Sequence, residues 1–231
     1  RVPVYVHGGG TGLVGGAVPL RPGIVMSLER LDTLVIDSKN MVAEAGAGVT
    51  LGRLIEEAEK HGLSFPPHPG DEGATVGGLI ATNAGGSRAV RTGVIRNYVL
   101  GLEVVLPTGE ILRLGAKSVK NNMGTNLLHF FIGSEGILGV VTRAYLRLYP
   151  KWRSWLTALL PFKDRASAFR AARDIIFGGV IPLALEYFDR RCVEASAKHL
   201  GLTWPEHEGD YYLMVIVAEP LEDIALLELE H

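Results

Sequence analysis

Val6-His7-Gly8-Gly9-Gly10-Thr11-Gly12-Leu13-Val14-Gly15-Gly16 is the stretch on which the reading of this chain turns. It follows an extended, β-branched start, Val2-Pro3-Val4-Tyr5-Val6, and places six glycines within nine positions. Glycine lets backbone approach a ligand without interference from a Cβ and tolerates positive φ, so consecutive N–H groups can turn inward together. Such a concavity suits a phosphate or pyrophosphate. Gly10, Gly12 and Gly15 have the spacing of a dinucleotide fingerprint, but that fingerprint must open a helix whose N-terminus holds the pyrophosphate. Here Ala17-Val18-Pro19-Leu20-Arg21-Pro22-Gly23 follows, and two prolines with a glycine do not continue a helix. The next segment, Gly23 to Leu28, is again extended. The loop is therefore a phosphate loop between strands, which excludes the usual nicotinamide-dinucleotide fold.

Working outward, 231 residues allow one large or two modest domains with ample material for a core. A hydrophobic content of 47% and a net charge of −2 describe an ordinary soluble globular chain, with no basic excess to suggest nucleic acid. The single Cys192 excludes an internal disulfide framework, no Cys/His cluster has metal spacing, and a reducing, cytoplasmic compartment is expected. No apolar run reaches the roughly 20 residues of a transmembrane segment, and no signal peptide is expected. The chain begins at Arg1 inside a strand and ends at Leu229-Glu230-His231, like the start of a histidine tag, so a fragment of something longer is expected.

Leu34 to Asp37 and Met41 to Ala45 read as paired strands around Ser38-Lys39-Asn40. Thr50 is placed to N-cap a helix with the apolar stripe Leu51, Leu54, Ile55 and Ala58, which Gly62 ends. A rigid loop, Phe65 to Gly73, is too rich in proline for a helix or central strand. It delivers Ala74-Thr75-Val76-Gly77-Gly78-Leu79-Ile80-Ala81-Thr82-Asn83-Ala84-Gly85-Gly86, in which Thr75 can cap a short helix of small residues. A large flat ligand lying against that helix, or tight packing against protein, explains the small residues equally well.

Arg88 to Gly93 reads as a polar loop. Val99 to Leu106 and Ile111 to Leu114 form a hairpin around Pro107-Thr108-Gly109-Glu110, and a short helix is expected from Asn126 to Phe131. A second glycine-rich element, Ile132 to Val141, feeds a strand from Thr142 to Tyr149 with Ala144, Leu146 and Leu148 inward, and Pro150 closes the unit. The rhythm then changes. Strands are expected at Trp155–Leu160, Ile181–Phe188 and Tyr211–Ala218. Helices are expected after Asp164, with Ala168, Phe169, Ala172 and Ile176 inward, after Asp189, and from Glu222. Cys192 is read as packing on an apolar helix face. The domain boundary is placed near Pro150, giving residues 1–150 and an incomplete 151–231.

Three elements stand in fixed order: Gly8 to Gly16; Thr75-Val76-Gly77-Gly78 with Asn83-Ala84-Gly85-Gly86; and Gly133-Ser134-Glu135-Gly136 with Gly139-Val140-Val141-Thr142. Together they closely resemble the FAD-binding domain of the vanillyl-alcohol oxidase/PCMH flavoprotein superfamily, nearest its group of glycolate oxidase subunits and FAD-linked D-lactate dehydrogenases. The resemblance covers nearly the whole chain. It implies an α+β fold: a PCMH-type FAD-binding domain lacking its N-terminal βα part, followed by the start of a ferredoxin-like α+β cap domain. It also implies site roles. Gly9, Gly10, Thr11 and Gly12 would meet the FAD pyrophosphate. Pro69, Gly70, Asp71, Thr75, Gly77 and Gly78 would line the middle of the cofactor. Ala81, Thr82 and Asn83 would lie along the flavin side, and Gly139, Val140 and Val141 at the adenine end. Some members tether the flavin through a His in the first loop, where this chain has Thr11, or through a Cys in the middle motif, which is absent between Pro66 and Gly86. Non-covalent FAD is expected. His7 and His68 are read as polar residues on loop rims, and Glu135 as anchoring its own turn.

The implied activity is a FAD-dependent D-2-hydroxy-acid dehydrogenase, oxidising glycolate or D-lactate to the 2-oxo acid with hydride passing to flavin N5. An electron acceptor or partner redox subunit would re-oxidise the flavin, and an oligomer, peripheral at the inner membrane face, is expected. The family's catalytic His, substrate-binding Arg and metal-ligating His residues belong to a later segment with no match here, so no catalytic or metal-binding residue is assigned. The alternatives are a catalytically silent FAD-binding subunit of a larger oxidase complex and an alkyl-dihydroxyacetone-phosphate synthase-like flavoenzyme.

Overall fold

The computed structural model describes residues 2–204 and 208–219, with Ile224 and Leu227. The helix expected from Glu222 lies outside the described residues. The chain divides into two units, Arg1–Gly86 with Gly93–Lys151, and Ser87–Thr92 with Trp152–His231.

In the first unit, β1 (Val4–His7) and β2 (Ile24–Ser27) pair in parallel, Val4 opposite Ile24 and His7 opposite Ser27, on either side of the glycine loop. The loop is thus held between two strand ends rather than leading into a helix. β3 (Leu34–Asp37) and β4 (Val42–Gly46) form the expected hairpin, its turn fixed where the Asp37 carboxylate accepts from the Asn40 backbone and side chain at 3.1 and 2.8 Å. In α1 (Leu51–Lys60), Thr50 Oγ1 accepts from the Arg53 N–H at 3.3 Å, and Leu51, Leu54 and Ala58 are buried. β5 (Leu63–Ser64) precedes the proline loop, and α2 (Val76–Thr82) carries the small residues.

A short segment, α3 (Ala89–Thr92), belongs to the second unit. The chain continues through a 3₁₀ turn at Ile95–Asn97, the hairpin β6 (Val99–Val105) and β7 (Ile111–Gly115), α4 (Leu128–Phe131) and β8 (Val140–Arg147) to β9 (Tyr149–Pro150). Five strands make one antiparallel sheet in the order β3-β4-β8-β6-β7. Ala144, Leu146 and Leu148 are all buried and join Leu51, Leu54, Phe65, Ile80 and Leu102 in one core cluster. Each large apolar side chain removed from water there contributes about 1.5–3 kcal/mol before entropy is counted. On β4, β6 and β8, Glu44 pairs with Lys117 and Arg143 at 2.6 and 2.9 Å, and Glu103 with Arg113 at 3.0 Å. Pro150 stands one residue before Lys151, where the first unit ends, and lies opposite Leu63 in the β5–β9 pair. Proline lacks an N–H but keeps its carbonyl, which suits it to this two-residue edge.

The second unit is built from β10 (Ser154–Phe162), α5 (Arg165–Phe177), β11 (Ala184–Asp189), α6 (Arg190–Leu200) and β12 (Tyr211–Glu219). Its antiparallel sheet has the order β10-β12-β11, the arrangement of three adjacent strands in a ferredoxin-like sheet. Asp164 and Asp189 cap α5 and α6 through the N–H groups of Ser167 and Cys192, at 2.9 and 2.8 Å. Three expectations are corrected. Arg88–Gly93 is not all loop. Ala89–Thr92 is helical, held by Arg91, whose guanidinium donates to Ala218 O at 3.0 Å and to the buried Glu219 carboxylate at 2.6 Å. On α5 the inward stripe is Ala168, Ala171, Ala172 and Ile175, while Phe169 is 52% and Ile176 36% exposed. That stripe has the i, i+3, i+4, i+7 spacing, and a one-residue offset rotates a side chain about 100° around the axis. Phe169 stacks on Tyr187, ring centroids 5.0 Å apart. Cys192 is exposed, and its neighbour Val193 is the buried residue of α6.

Candidate functional site

The glycine elements converge on one cleft in the first unit. Val6 and Gly8 come from β1 and the loop it opens, Leu28 follows β2, and Gly77, Gly78 and Ala81 belong to α2. Phe131, Ser134, Glu135, Gly136, Gly139, Val140 and Val141 complete the lining. Apart from Glu135 the lining carries no ionisable side chain, so a ligand there meets backbone, small side chains and apolar walls.

Close approach explains the first glycines. A Cβ on Gly8 would lie 2.5 Å from Thr75 Oγ1, and one on Gly9 would lie 2.3 Å from Gly73 O. The first loop is therefore packed directly on the segment that opens α2. Gly12, Gly15 and Gly16 face open space, and Gly10, at φ +68°, lies over the His7 ring. Thr75 stands at the N-cap position of α2 but makes no cap bond there. Its Oγ1 is buried and has no hydrogen-bond partner. A buried hydroxyl left unpaired costs about 1–3 kcal/mol, so this atom, beside Gly8 and Gly78, is one that a hydrogen-bonding group of a cofactor would satisfy.

The small residues of α2 divide between the two roles left open by the sequence. Gly77 is there for packing: a Cβ would lie 2.8 Å from Ala47 Cβ, and its N–H donates to Ala47 O at 2.9 Å. Gly78 and Ala81 line the cleft, and a Cβ on Gly78 would meet only Thr75 Oγ1, at 3.4 Å. At the far end, the carbonyls of Ile80 and Ala81 accept from Gly133 N at 2.9 Å and Glu135 N at 2.8 Å, which ties the third glycine element to the helix. Glu135 anchors its turn through backbone at φ +54°, with its side chain exposed. Gly139 fits against β6, where a Cβ would meet Val104 Cγ1 at 2.7 Å.

Of the residues singled out in the sequence, the structure brings Gly77, Gly78, Ala81, Gly139, Val140 and Val141 into the cleft lining, with Thr75 in contact range of Gly8. Gly9, Gly10, Thr11 and Gly12 lie along the loop, and Pro69, Gly70 and Asp71 along the proline loop, outside that lining. Asp71 Oδ1 accepts from Gly73 N at 2.8 Å, and Thr11 Cγ2 lies 3.9 Å from the Cβ position of Gly73, so the two loops do meet. Thr82 and Asn83 are committed elsewhere: the Thr82 hydroxyl donates to Gly78 O at 2.9 Å and Asn83 Oδ1 accepts from Arg96 N at 3.0 Å. His68 pairs with Glu72 at 3.2 Å. Sequence reasoning missed Val6, Leu28 and Phe131 as cleft walls, because their apolar character is that of core residues. Among the described residues no group of His, Cys, Asp or Glu has the arrangement of a metal site.

A lining of backbone, small residues and apolar walls suits a ligand held largely by main-chain groups, and comparison with known proteins identifies the cofactor as FAD. Residues 1–115 match the family model of the FAD binding domain, and residues 152–230 that of the FAD linked oxidases, C-terminal domain. The chain is 48% identical over 215 residues to a D-lactate dehydrogenase of Archaeoglobus fulgidus, covering 93% of this chain and 48% of the relative. It is 40% identical over 192 residues to the glycolate oxidase subunit GlcD of Bacillus subtilis, covering 82% and 41%. The chain thus spans about half the length of the curated relatives it matches. A solved alkyldihydroxyacetonephosphate synthase shares the fold, with a TM-score of 0.81 at 23% identity over 98% of this chain and 44% of that one. The fold is α+β with a PCMH-type FAD-binding domain, and the chain belongs to the FAD-linked oxidase family.

Proposed function

We propose that this chain is the cofactor-holding part of a FAD-dependent oxidoreductase that oxidises a D-2-hydroxy acid, glycolate or D-lactate, to the 2-oxo acid. The observation that carries the reading is the convergence of three glycine elements on one cleft beside the buried, unpartnered Thr75 hydroxyl. FAD, when bound, supplies the hydride acceptor, flavin N5. The chain's own residues supply the cradle. Gly9, Gly10, Thr11 and Gly12 present backbone and one hydroxyl to the pyrophosphate. Pro69, Gly70, Asp71, Thr75 and Gly78 flank the middle of the cofactor, and Gly77 sets the depth of α2 against β4. Ala81 lies along the flavin side, where Thr82 and Asn83 hold the end of α2 in place. Gly139, Val140 and Val141 form the adenine end. Residues 1–150 act as the FAD-binding domain and 151–231 as the start of a substrate-facing cap.

The FAD is held non-covalently, since Thr11 offers no ring nitrogen and the proline loop and α2 contain no cysteine. An electron acceptor or a partner redox subunit re-oxidises it. Support comes from the A. fulgidus and B. subtilis relatives, whose names specify D-lactate and glycolate, and from the subunit wording of the latter. A cytoplasmic place, peripheral to the membrane, accords with the described helices, none of which is long and apolar enough to cross one. The test is the visible spectrum of the purified chain after incubation with FAD and gel filtration. A retained flavin spectrum, released as free FAD by acid, is expected. A folded chain that retains no flavin overturns the cradle, and flavin that stays on the protein after acid overturns the non-covalent assignment.

A further inference from the structure

A second cavity in the first unit, of about 570 Å3, shares no lining residue with the cofactor cleft. Its walls come from the 3₁₀ turn, β6, the end of β7, Arg147 at the end of β8, and the segment 118–129. The charges are one-sided. Arg96 and Arg147 line it and no Asp or Glu does. Neither arginine forms an ion pair among the described residues. Arg147 lies 4.5 Å over the Tyr149 ring, and Arg96 gives one N–H to Ile132 O at 2.9 Å. Ser118, Asn121 and Asn126 add uncharged donors, and His129 contributes an Nδ1 that is buried without a hydrogen-bond partner. Two partly buried arginines lining one cavity without a carboxylate, with a histidine whose ring nitrogen is unsatisfied in the same lining, are complementary to an anion, because guanidinium forks match carboxylate and phosphate oxygens. The volume lies within the range of small-molecule sites.

We propose that this cavity binds a small organic anion, through a carboxylate or phosphate group held between Arg96 and Arg147 with His129 as a further partner. The site has a direct route to the cofactor cleft. Arg96 also donates its backbone N–H to Asn83 Oδ1 at the end of α2, and α4 presents His129 to this cavity and Phe131 to the cleft. Occupancy therefore bears on the end of α2, the helix that carries Gly78 and Ala81 of the cleft lining, whichever cofactor lies there.

The test is an amide-resolved NMR titration of the full chain with inorganic phosphate in one arm and malonate in the other, ionic strength held constant with chloride. Saturable shifts at Asn121, Gly124, Asn126 and His129 are expected, apart from any at Gly8 to Gly12. The arm that binds more tightly distinguishes phosphate from carboxylate. Arg147→Met weakens binding about tenfold or more, the loss of one charge-assisted contact. His129→Leu weakens it by a smaller factor and covers the case in which Arg147→Met does not fold. The proposal is overturned if neither anion shifts these amides, or if both folded variants bind as the parent does.

Discussion

Replacing Thr75 by valine separates a structural from a ligand-holding role, because the two move in opposite directions. Thr75 is 6% exposed, and its Oγ1 has no partner while sitting in the space a Gly8 Cβ would need. In the ligand-free chain the hydroxyl carries a desolvation cost of about 1–3 kcal/mol with no bond to offset it. Valine removes that cost and introduces a methyl slightly larger than the oxygen, for which the missing Gly8 Cβ leaves room. The expected net gain is about 1 kcal/mol, a rise in Tm of about 2–4 °C for a chain of this length. Flavin binding loses one hydrogen bond of about 0.5–1.5 kcal/mol, so Kd rises about 2–13-fold. Thermal melting of the FAD-free chain and quenching of flavin fluorescence on titration read the two effects separately. A lower Tm with unchanged FAD affinity would refute the reasoning, since it would show that the hydroxyl serves the fold.

Further outcomes follow from the same geometry. Gly9→Ala must part the first loop from Gly73 by roughly 1 Å to restore an ordinary C···O contact, and is expected to weaken FAD about tenfold or more, whereas Gly12→Ala, in open space, leaves the Tm unchanged. Both are read by flavin absorbance after gel filtration and by melting. Glu135→Gly relieves a left-handed backbone at φ +54° and is expected to raise stability by about 0.5–1 kcal/mol in denaturant titration. The Glu44 carboxyl is held below its usual range by its hydrogen bond to Lys117, then by the charges of Lys117 and Arg143. A carboxyl lowered on folding stabilises above its unfolded pKa, and that stability is lost as pH falls through the folded value. Glu44→Gln is therefore expected to lower the Tm most at neutral pH, where the ionised carboxylate contributes, and to flatten the acid limb, the two profiles converging as pH falls below about 5.

The legible parts of this fold are those set by neighbours in sequence. Thr50, Asp164 and Asp189 cap their helices because a cap needs only the next three residues, and β8 could be read from its alternation. The helix Ala89–Thr92 could not, because what holds it is Glu219, 128 positions beyond Arg91. The Leu63–Pro150 pairing is long-range in the same way, and Phe169 lies off the expected face because the inward stripe of α5 runs through Ala168, Ala171, Ala172 and Ile175, leaving its ring to stack on Tyr187. In the site, the glycine motifs stand out since few other pressures concentrate glycine so closely. The commitments of Thr82 to Gly78 and of Asn83 to Arg96 are invisible in the sequence, because the same residue types serve a ligand or a helix end equally well.

The helix Val76–Thr82 has a consequence for the order in which the molecule assembles. Seven residues, two of them glycine, are too few to be helical alone in water. Its first N–H groups are taken by Val49 O and Ala47 O, and its last carbonyls by Gly133 and Glu135, segments that bracket it by more than twenty residues before and fifty after. The helix is therefore a late product of folding, formed once β4 and the turn before β8 are in place. Its amides and those of the Gly133–Gly136 turn are expected to exchange with solvent as a single cooperative unit, opening together and earlier than the sheet beneath them.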